Sequence, residues 1–345
     1  MSAEFNQAAQ DIDSPMFAVL GAGSWGTALS MQLMRSGSRA VLWDWNREHI
    51  EAIGKARCNE QFLPDYPLPD DLVVEPDLER AVRMADEILI VVPSHAFVGI
   101  LEQIKPWLKP GQGVAWACKG LEPGTGQFLH EPAQKLFGDE RPLAVVTGPS
   151  FAKEVAANLP TAVTVAGTDP TYCATVARAL HGGNFRAYTS DDILGAELGG
   201  SVKNVLAVAT GICDGMGLGN NARAALVTRG LVEMMRLGRA LGASDQTLTG
   251  LTGMGDLVLT CTGDLSRNRR LGLALGDGKT VDAAVAEIGQ VVEGVQTAEE
   301  VWRLARRHGV EMPIAEQVYG IIHQGWDPNQ SVKDLLSREQ KHELV

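Results

Sequence analysis

Two lysines are candidates for acid and base chemistry because of where they fall. Lys119 follows a short apolar run, Gly113 to Cys118, and Lys203 interrupts an apolar helical stretch one turn after Gly199 and Gly200. A free lysine titrates near ~10.4, but desolvation or a second cation lowers that value and makes it a usable acid at neutral pH. As an ammonium it would also polarise a ketone and stabilise the developing alkoxide. Asp256, framed by Gly253 and Gly255, and Asn204 are the groups expected to orient Lys203. Ten residues beyond Asp256, the run Ser266, Arg267, Asn268, Arg269, Arg270 puts a hydroxyl, an amide and three guanidinium groups together. Arginine grips phosphate bidentately, so this run is the natural anion site. The bland alternatives are a lysine snorkelling from a helix face and a basic helix end without a ligand.

Chemistry of this kind needs a partner that carries reducing equivalents, and the chain opens on a site for one. Met16 to Gly26 reads MFAVLGAGSWG, a buried strand followed by Gly21, Gly23 and Gly26. The first glycine permits a tight turn, the second lets a pyrophosphate approach the backbone, and the third lets the following helix pack on the strand. A second strand, Arg39 to Trp43, completes a parallel βαβ unit and ends on Asp44, eighteen positions after Gly26. An acidic side chain there accepts from the adenosine ribose and repels a 2′-phosphate, which favours NAD; Arg47 could swing onto that phosphate and reverse the preference. Trp45 either lies against the adenine or covers the sheet edge.

Further along, residues 58–76 read as an irregular excursion, and strands follow at Glu87 to Val92, Gly113 to Cys118, Leu143 to Val146, Thr161 to Ala166 and Phe185 to Thr189. Ligands of open α/β sheets bind beyond the carboxyl ends of the strands, so the glycine loop, Pro93 to His95, Lys119 and Gly148 to Ser150 should line one crevice. His95 is an acid/base suspect by residue type, although a loop has structural uses for histidine too. From about Asp192 helical periodicity replaces strands: Leu198, Val202, Val205, Leu206 and Ala209 recur at helical spacing. Gly199 and Gly200 each cost roughly 1 kcal/mol against alanine in a helix, so they imply close approach by a ligand or another backbone. A loop-like break, GQVVEG, brings in Glu293.

The expected architecture is an α/β Rossmann-like domain with a mostly parallel sheet over residues 15–191, then an all-helical substrate and catalytic domain over 192–340, with residues 1–14 a loose tail and KHELV a polar end. Forty-two acidic against 30 basic residues leave a formal charge of −12, which disfavours nucleic acid or an anionic membrane as partner. The five cysteines form no CxxC pair and read as buried thiols in a reducing compartment, without a metal site. No basic start followed by an apolar core opens the chain, so a cytoplasmic protein without membrane insertion is expected.

The motifs GAGSWGTAL, VVPSHAF, WACKGLE, TGPSFAKEV, ELGGSVKNV, GDLVLTCTGDLSRNRR and GQVVEG occur together and in order. With them the chain closely resembles the bacterial NAD(P)-dependent glycerol-3-phosphate dehydrogenases from about Met16 to beyond Pro313. The resemblance implies reversible, NAD(H)- or NADP(H)-dependent reduction of dihydroxyacetone phosphate to sn-glycerol 3-phosphate, a supply of glycerophospholipid backbones, and a homodimer. It also implies cofactor contacts at Gly21, Gly23, Ser24, Trp25, Gly26, Trp45, Lys119, Ala152, Arg267, Val291 and Glu293. Substrate contacts are implied at Lys119, Gly148, Ser150, Lys203, Asp256, Ser266, Arg267 and Asn268, with Lys203 the proton acceptor in the oxidative direction. Ser150 stands where a threonine is also common, and Asp44-Trp45 makes the usual tolerance of NADP less secure. Two other readings stay open on the residues alone. One is a two-domain dehydrogenase acting on a 3-hydroxy acid or ketopantoate-like substrate, which would not need the arginine cluster. The other is a non-catalytic dinucleotide sensor.

Overall fold

A computed structural model of the chain describes residues 14–339; all but the last residue of the expected N-terminal tail, and the closing KHELV, lie outside the described residues. The first half runs β1 Met16–Leu20, α1 Ser24–Arg35, β2 Arg39–Trp43, α2 Arg47–Ala56, β3 Cys58–Asn59, β4 Leu63–Pro67, β5 Val73–Val74, α3 Leu78–Met84, β6 Glu87–Ile90 and α4 Ser94–Ile104. It continues with β7 Val114–Trp116, α5 His130–Phe137, β8 Leu143–Thr147, α6 Ala152–Ala156, β9 Thr161–Gly167, α7 Pro170–Leu180 and β10 Phe185–Ser190. Eight strands form one sheet in the order β10-β9-β8-β7-β6-β1-β2-β5. All neighbours pair in parallel except β8 with β9. Phe17 to Leu20 are fully buried, as the unbroken apolar runs of a sheet covered on both faces require.

Two expectations change in detail. Residues 58–76 are not irregular throughout: β3 and β4 form a small antiparallel ladder, and β5 joins the edge of the main sheet beside β2. Pro64 and Pro67 sit in that two-stranded ladder, where a missing donor is tolerated. The stretch after β6 is also more than a strand ending, because Pro93 caps α4, which starts at Ser94. Proline is well placed there, since the first amides of a helix have no partner to lose.

The remaining elements are helices: α8 Ile193–Gly215, α9 Asn220–Leu241, α10 Asp245–Thr249, α11 Asp256–Thr262, α12 Arg267–Gly276, α13 Val281–Ile288, α14 Glu293–Arg307, α15 Pro313–His323 and α16 Pro328–Leu336, with a π-helical turn at Leu251–Gly255. Helix α8 is buried continuously from Gly195 to Cys213, and the others gather round it. A helix apolar on all sides belongs in the middle of a core. No helix among the described residues is long and apolar enough to cross a membrane.

Glycine decides how closely α8 meets its neighbours. Gly211 and Gly215 face the backbone of α12, and Gly272 and Gly276 of α12 face that of α8, so the two helices touch main chain to main chain. Gly199 sits against the π-helical turn, where a methyl group would fall 2.5 Å from the Thr252 carbonyl oxygen. That turn leads directly into Asp256. We therefore expect Gly199→Ala to push the turn off α8 and cost about 1–3 kcal/mol, the usual range for overpacking. Thermal unfolding measures it, and an unchanged Tm would show that the contact yields freely.

Candidate active site

Lys203 leaves α8 well inside the protein, and Asp256 stands at the start of α11. Their charged ends lie 2.5 Å apart, from Lys203 Nζ to Asp256 Oδ1. The other oxygen of the same carboxylate is 2.8 Å from Nζ of Lys119, which arrives from the loop beyond β7. One carboxylate, its side chain 1% exposed, thus binds two ammonium groups from opposite halves of the chain. Lys119 also donates to the Gly148 carbonyl at 3.0 Å, and Lys203 to the Thr260 hydroxyl at 3.1 Å. Thr260 in turn donates to the Asp256 main-chain oxygen at 2.6 Å, one helical turn back.

The electrostatics follow from burial. Loss of water lowers Lys203 to about 7; the nearby Lys119 charge pushes the same way, and Asp256 pulls against them. Burial alone would raise Asp256, but the two lysines more than offset it and hold the carboxyl below its usual range. Lys203 can therefore give or take a proton near neutrality while Asp256 stays charged.

The run from Ser266 to Arg270, expected to bind an anion, divides. Ser266 caps α12 by accepting from the Arg269 main chain at 3.2 Å. Arg267 is partly buried; desolvation lowers its pKa and the Glu293 carboxylate opposes the shift. Asn268 donates to Asn204 at 2.8 Å and accepts from the Gly294 main chain at 2.8 Å, so its side chain faces inward. The main-chain N–H groups of Arg267 and Asn268, in the first turn of α12, have no partner within the helix. The expectation of three guanidinium groups acting together needs correction. Arg269 is tied to Asp214 at 2.7 Å and Asp264 at 2.8 Å and is turned away, while Arg270 is exposed one turn along from Arg267, where its charge helps lower the Arg267 pKa. Asn204 is likewise engaged with Asn268 rather than Lys203, and Thr260 occupies the orienting place that sequence reasoning gave it. The i, i+4 spacing of Asp256 and Thr260 was the available signal.

At the glycine loop the side-chain-free positions differ in purpose. Gly21, with φ +120°, packs on the Val91 carbonyl, and Gly26 packs on Gly21 itself. At Gly23 a methyl group would meet nothing within 4 Å. Helix α1 has no side-chain cap, so the amides at Ser24, Trp25 and Gly26 open onto that space. This arrangement fits the pyrophosphate of a dinucleotide. Asp44 is buried, and its carboxylate accepts from the main chain of Ala22 at 2.8 Å and of Asn46 at 3.0 Å, bracing the loop. Arg47 pairs with Glu51 at 2.7 Å. Trp45 is 77% exposed and Val291 45%. Across the cleft Ser94 donates to Glu293 at 3.1 Å. Burial raises the Glu293 pKa against the pull of Ser94, Arg267 and His95, which places His95 beside a carboxylate but exposed. Ser150 donates to the Gly148 carbonyl at 3.0 Å, and Ala152 opens α6 behind it. A separate cavity of about 460 Å³ lies between α8, α9, α15 and α16 and holds none of these residues.

Comparison with known proteins places this geometry among relatives. Residues 16–173 match the family described as NAD-dependent glycerol-3-phosphate dehydrogenase N-terminus, and residues 192–333 match its C-terminus. A glycerol-3-phosphate dehydrogenase (NAD(P)+) of Stenotrophomonas maltophilia strain R551-3 is 60% identical over 326 residues, 94% of this chain and 96% of the relative. One from Xanthomonas euvesicatoria is 58% identical over the same coverage. The crystal structure of glycerol-3-phosphate dehydrogenase from Coxiella burnetii superposes with a TM-score of 0.91 at 47% identity, covering 95% of this chain and 100% of that one.

The double ion pair carries a stability consequence. In Asp256→Asn the buried Lys203 and the partly buried Lys119 lose their counter-charge, and breaking a buried pair costs about 3–5 kcal/mol. A lysine whose folded pKa is depressed binds fewer protons folded than unfolded, so stability rises with pH. The loss should accordingly be largest below about pH 7, where Lys203 is charged, and shrink above it. Denaturant unfolding at pH 6 and pH 9 checks this; a pH-independent loss would contradict it.

Proposed function

This chain belongs to the NAD-dependent glycerol-3-phosphate dehydrogenase family, and on that premise we propose that Lys203 is its proton-transfer residue. The reaction is the NAD(P)H-dependent reduction of dihydroxyacetone phosphate to sn-glycerol 3-phosphate. When bound, the nicotinamide cofactor supplies the hydride. The chain's own residues do the rest. In the reductive direction Lys203, as an ammonium, polarises the keto oxygen and gives it a proton; in the oxidative direction the neutral amine takes the proton from the alcohol. The observation that carries this reading is the Lys119–Asp256–Lys203 bridge, which keeps a lysine with a pKa of about 7 beneath the crevice.

Lys119 holds the substrate oxygens from the other side of Asp256, beside Gly148 and Ser150. Arg267, with the first-turn amides of α12 and the Ser266 hydroxyl, grips the phosphate, aided by the helix dipole. Asn268 acts through its main chain and through its hold on Asn204. The dinucleotide lies along Gly21, Gly23, Ser24, Trp25 and Gly26, with Trp45, Ala152, Val291 and Glu293 completing its contacts. The same reading takes the chain as two domains divided near residue 191, a homodimer, and a cytoplasmic supplier of phospholipid backbones; the family resemblance is its support.

Two variants test the assignment. Lys203→Ala should keep cofactor binding, measured by nicotinamide fluorescence, and lose roughly 100-fold or more in kcat with dihydroxyacetone phosphate; an unchanged rate would remove Lys203 from its role. Asp44→Ala should raise the NADPH to NADH ratio of kcat/KM, since a carboxylate at the end of β2 repels a 2′-phosphate. An unaltered ratio would leave Asp44 only its bracing of the Ala22 and Asn46 amides.

A further inference from the structure

Glu197 lies on α8 six residues before Lys203, about 9 Å along the helix, and is buried. Its Oε1 accepts from the Trp116 indole Nε1 at 3.0 Å. Its Oε2 accepts from the His130 main chain at 3.4 Å and lies 2.5 Å from His130 Nδ1. Trp116 ends β7 three residues before Lys119, and His130 opens α5 at the far end of the same connection. One carboxylate therefore holds both ends of the segment that carries Lys119. Between Glu197 and Lys203, Gly200 offers bare backbone to the Lys119 stem; a methyl group there would sit 3.9 Å from Lys119 Cγ and 3.1 Å from Thr147 Oγ1. The middle of the connection is pinned as well, since buried Glu300 of α14 accepts from the Gly124 main chain at 2.8 Å.

We infer that Glu197 is a positioning residue for the reaction: by tying both ends of the 116–130 connection to α8, it sets how closely Lys119 approaches Asp256 and Lys203. Its effect is transmitted through charge. The groups facing Lys203 are Asp256, Lys119, Thr260 and Cys261, and those facing Glu197 are His130, Glu131 and Cys118. If Lys119 withdraws, Lys203 loses a repelling neighbour and gains the whole of Asp256, and both changes make it hold its proton more tightly.

The inference rests on Lys203 as the proton-transfer group, and its test separates the two. The readout is kcat/KM for oxidation of sn-glycerol 3-phosphate by NAD+ against pH, which should fall as the pH drops below about 7 in the wild type. In Glu197→Ala that limb should move up by roughly half a pH unit or more. Glu197→Gln should keep the wild-type limb, because its amide oxygen still accepts from Trp116 and its NH2 can donate to His130 Nδ1, with only the long 3.4 Å bond from the His130 main chain given up. Trp116→Phe removes one end of the tie and leaves the His130 pair intact, so an upward shift there cannot arise from His130 titrating; it also serves if the alanine variant does not fold. A folded Glu197→Ala or Trp116→Phe enzyme with an unmoved limb would overturn the inference, as would a Glu197→Gln enzyme that behaves like the alanine variant. If Lys203→Ala instead retains wild-type turnover, it is the proton-transfer reading that fails.

Discussion

Two ammonium groups that approach one carboxylate from different halves of a chain impose a strict condition on the fold. Asp256 must lie where the loop after β7 and the middle of α8 come within hydrogen-bond reach, and water must be kept from all of them. The structure meets the first part with backbone. Glycines at 199, 211, 215, 272 and 276 let α8, α12 and the π-helical turn approach main chain to main chain, so no side chain sets a larger spacing. Carboxylates from the helical half tie it to the α/β half: Glu197, Glu293 and Glu300 each accept a hydrogen bond across the join.

Energetically the site is costly and local. The chain as a whole carries a formal charge of −12, yet its buried centre collects amines. A buried ion pair rarely adds net stability, because desolvation offsets its attraction. What it adds here is a proton affinity suited to neutral pH. Lys203 would be an indifferent acid in water and a neutral amine in an apolar core; between Asp256 and Lys119 it is neither. The proposed anion grip is joined to this centre by structure, since α12 carries Ser266 and Arg267 and rests on α8 through paired glycines.

What could be read from the sequence was whatever depends on local sterics. Gly21 announces its turn by a backbone that other residues rarely adopt, Gly26 by the Gly21 carbonyl against which a side chain would clash, and Gly23 by the open space it leaves; the apolar strands announce a sheet covered on both faces. Lys203 was conspicuous as a charge within an apolar helix. The errors at the site share one cause, that adjacency in sequence is not adjacency on a helix. Arg267 and Arg269 are near neighbours in the chain, but at about 100° per residue they point to opposite sides of the helix, and Arg269 meets Asp214 instead of an anion. Asn204 follows Lys203 directly and for the same reason faces Asn268. Glu197 drew no notice, because its partners Trp116 and His130 lie 81 and 67 residues away and no local pattern links them.

The central claim is that Lys203 exchanges its proton near neutrality because of where it is buried. The most direct measurement is a heteronuclear NMR titration of the lysine side chains in the free protein, with the Lys203 resonance assigned through Lys203→Arg. The account predicts a midpoint near 7 for that resonance. A midpoint close to the ordinary lysine value, ~10.4 in solution, would contradict it.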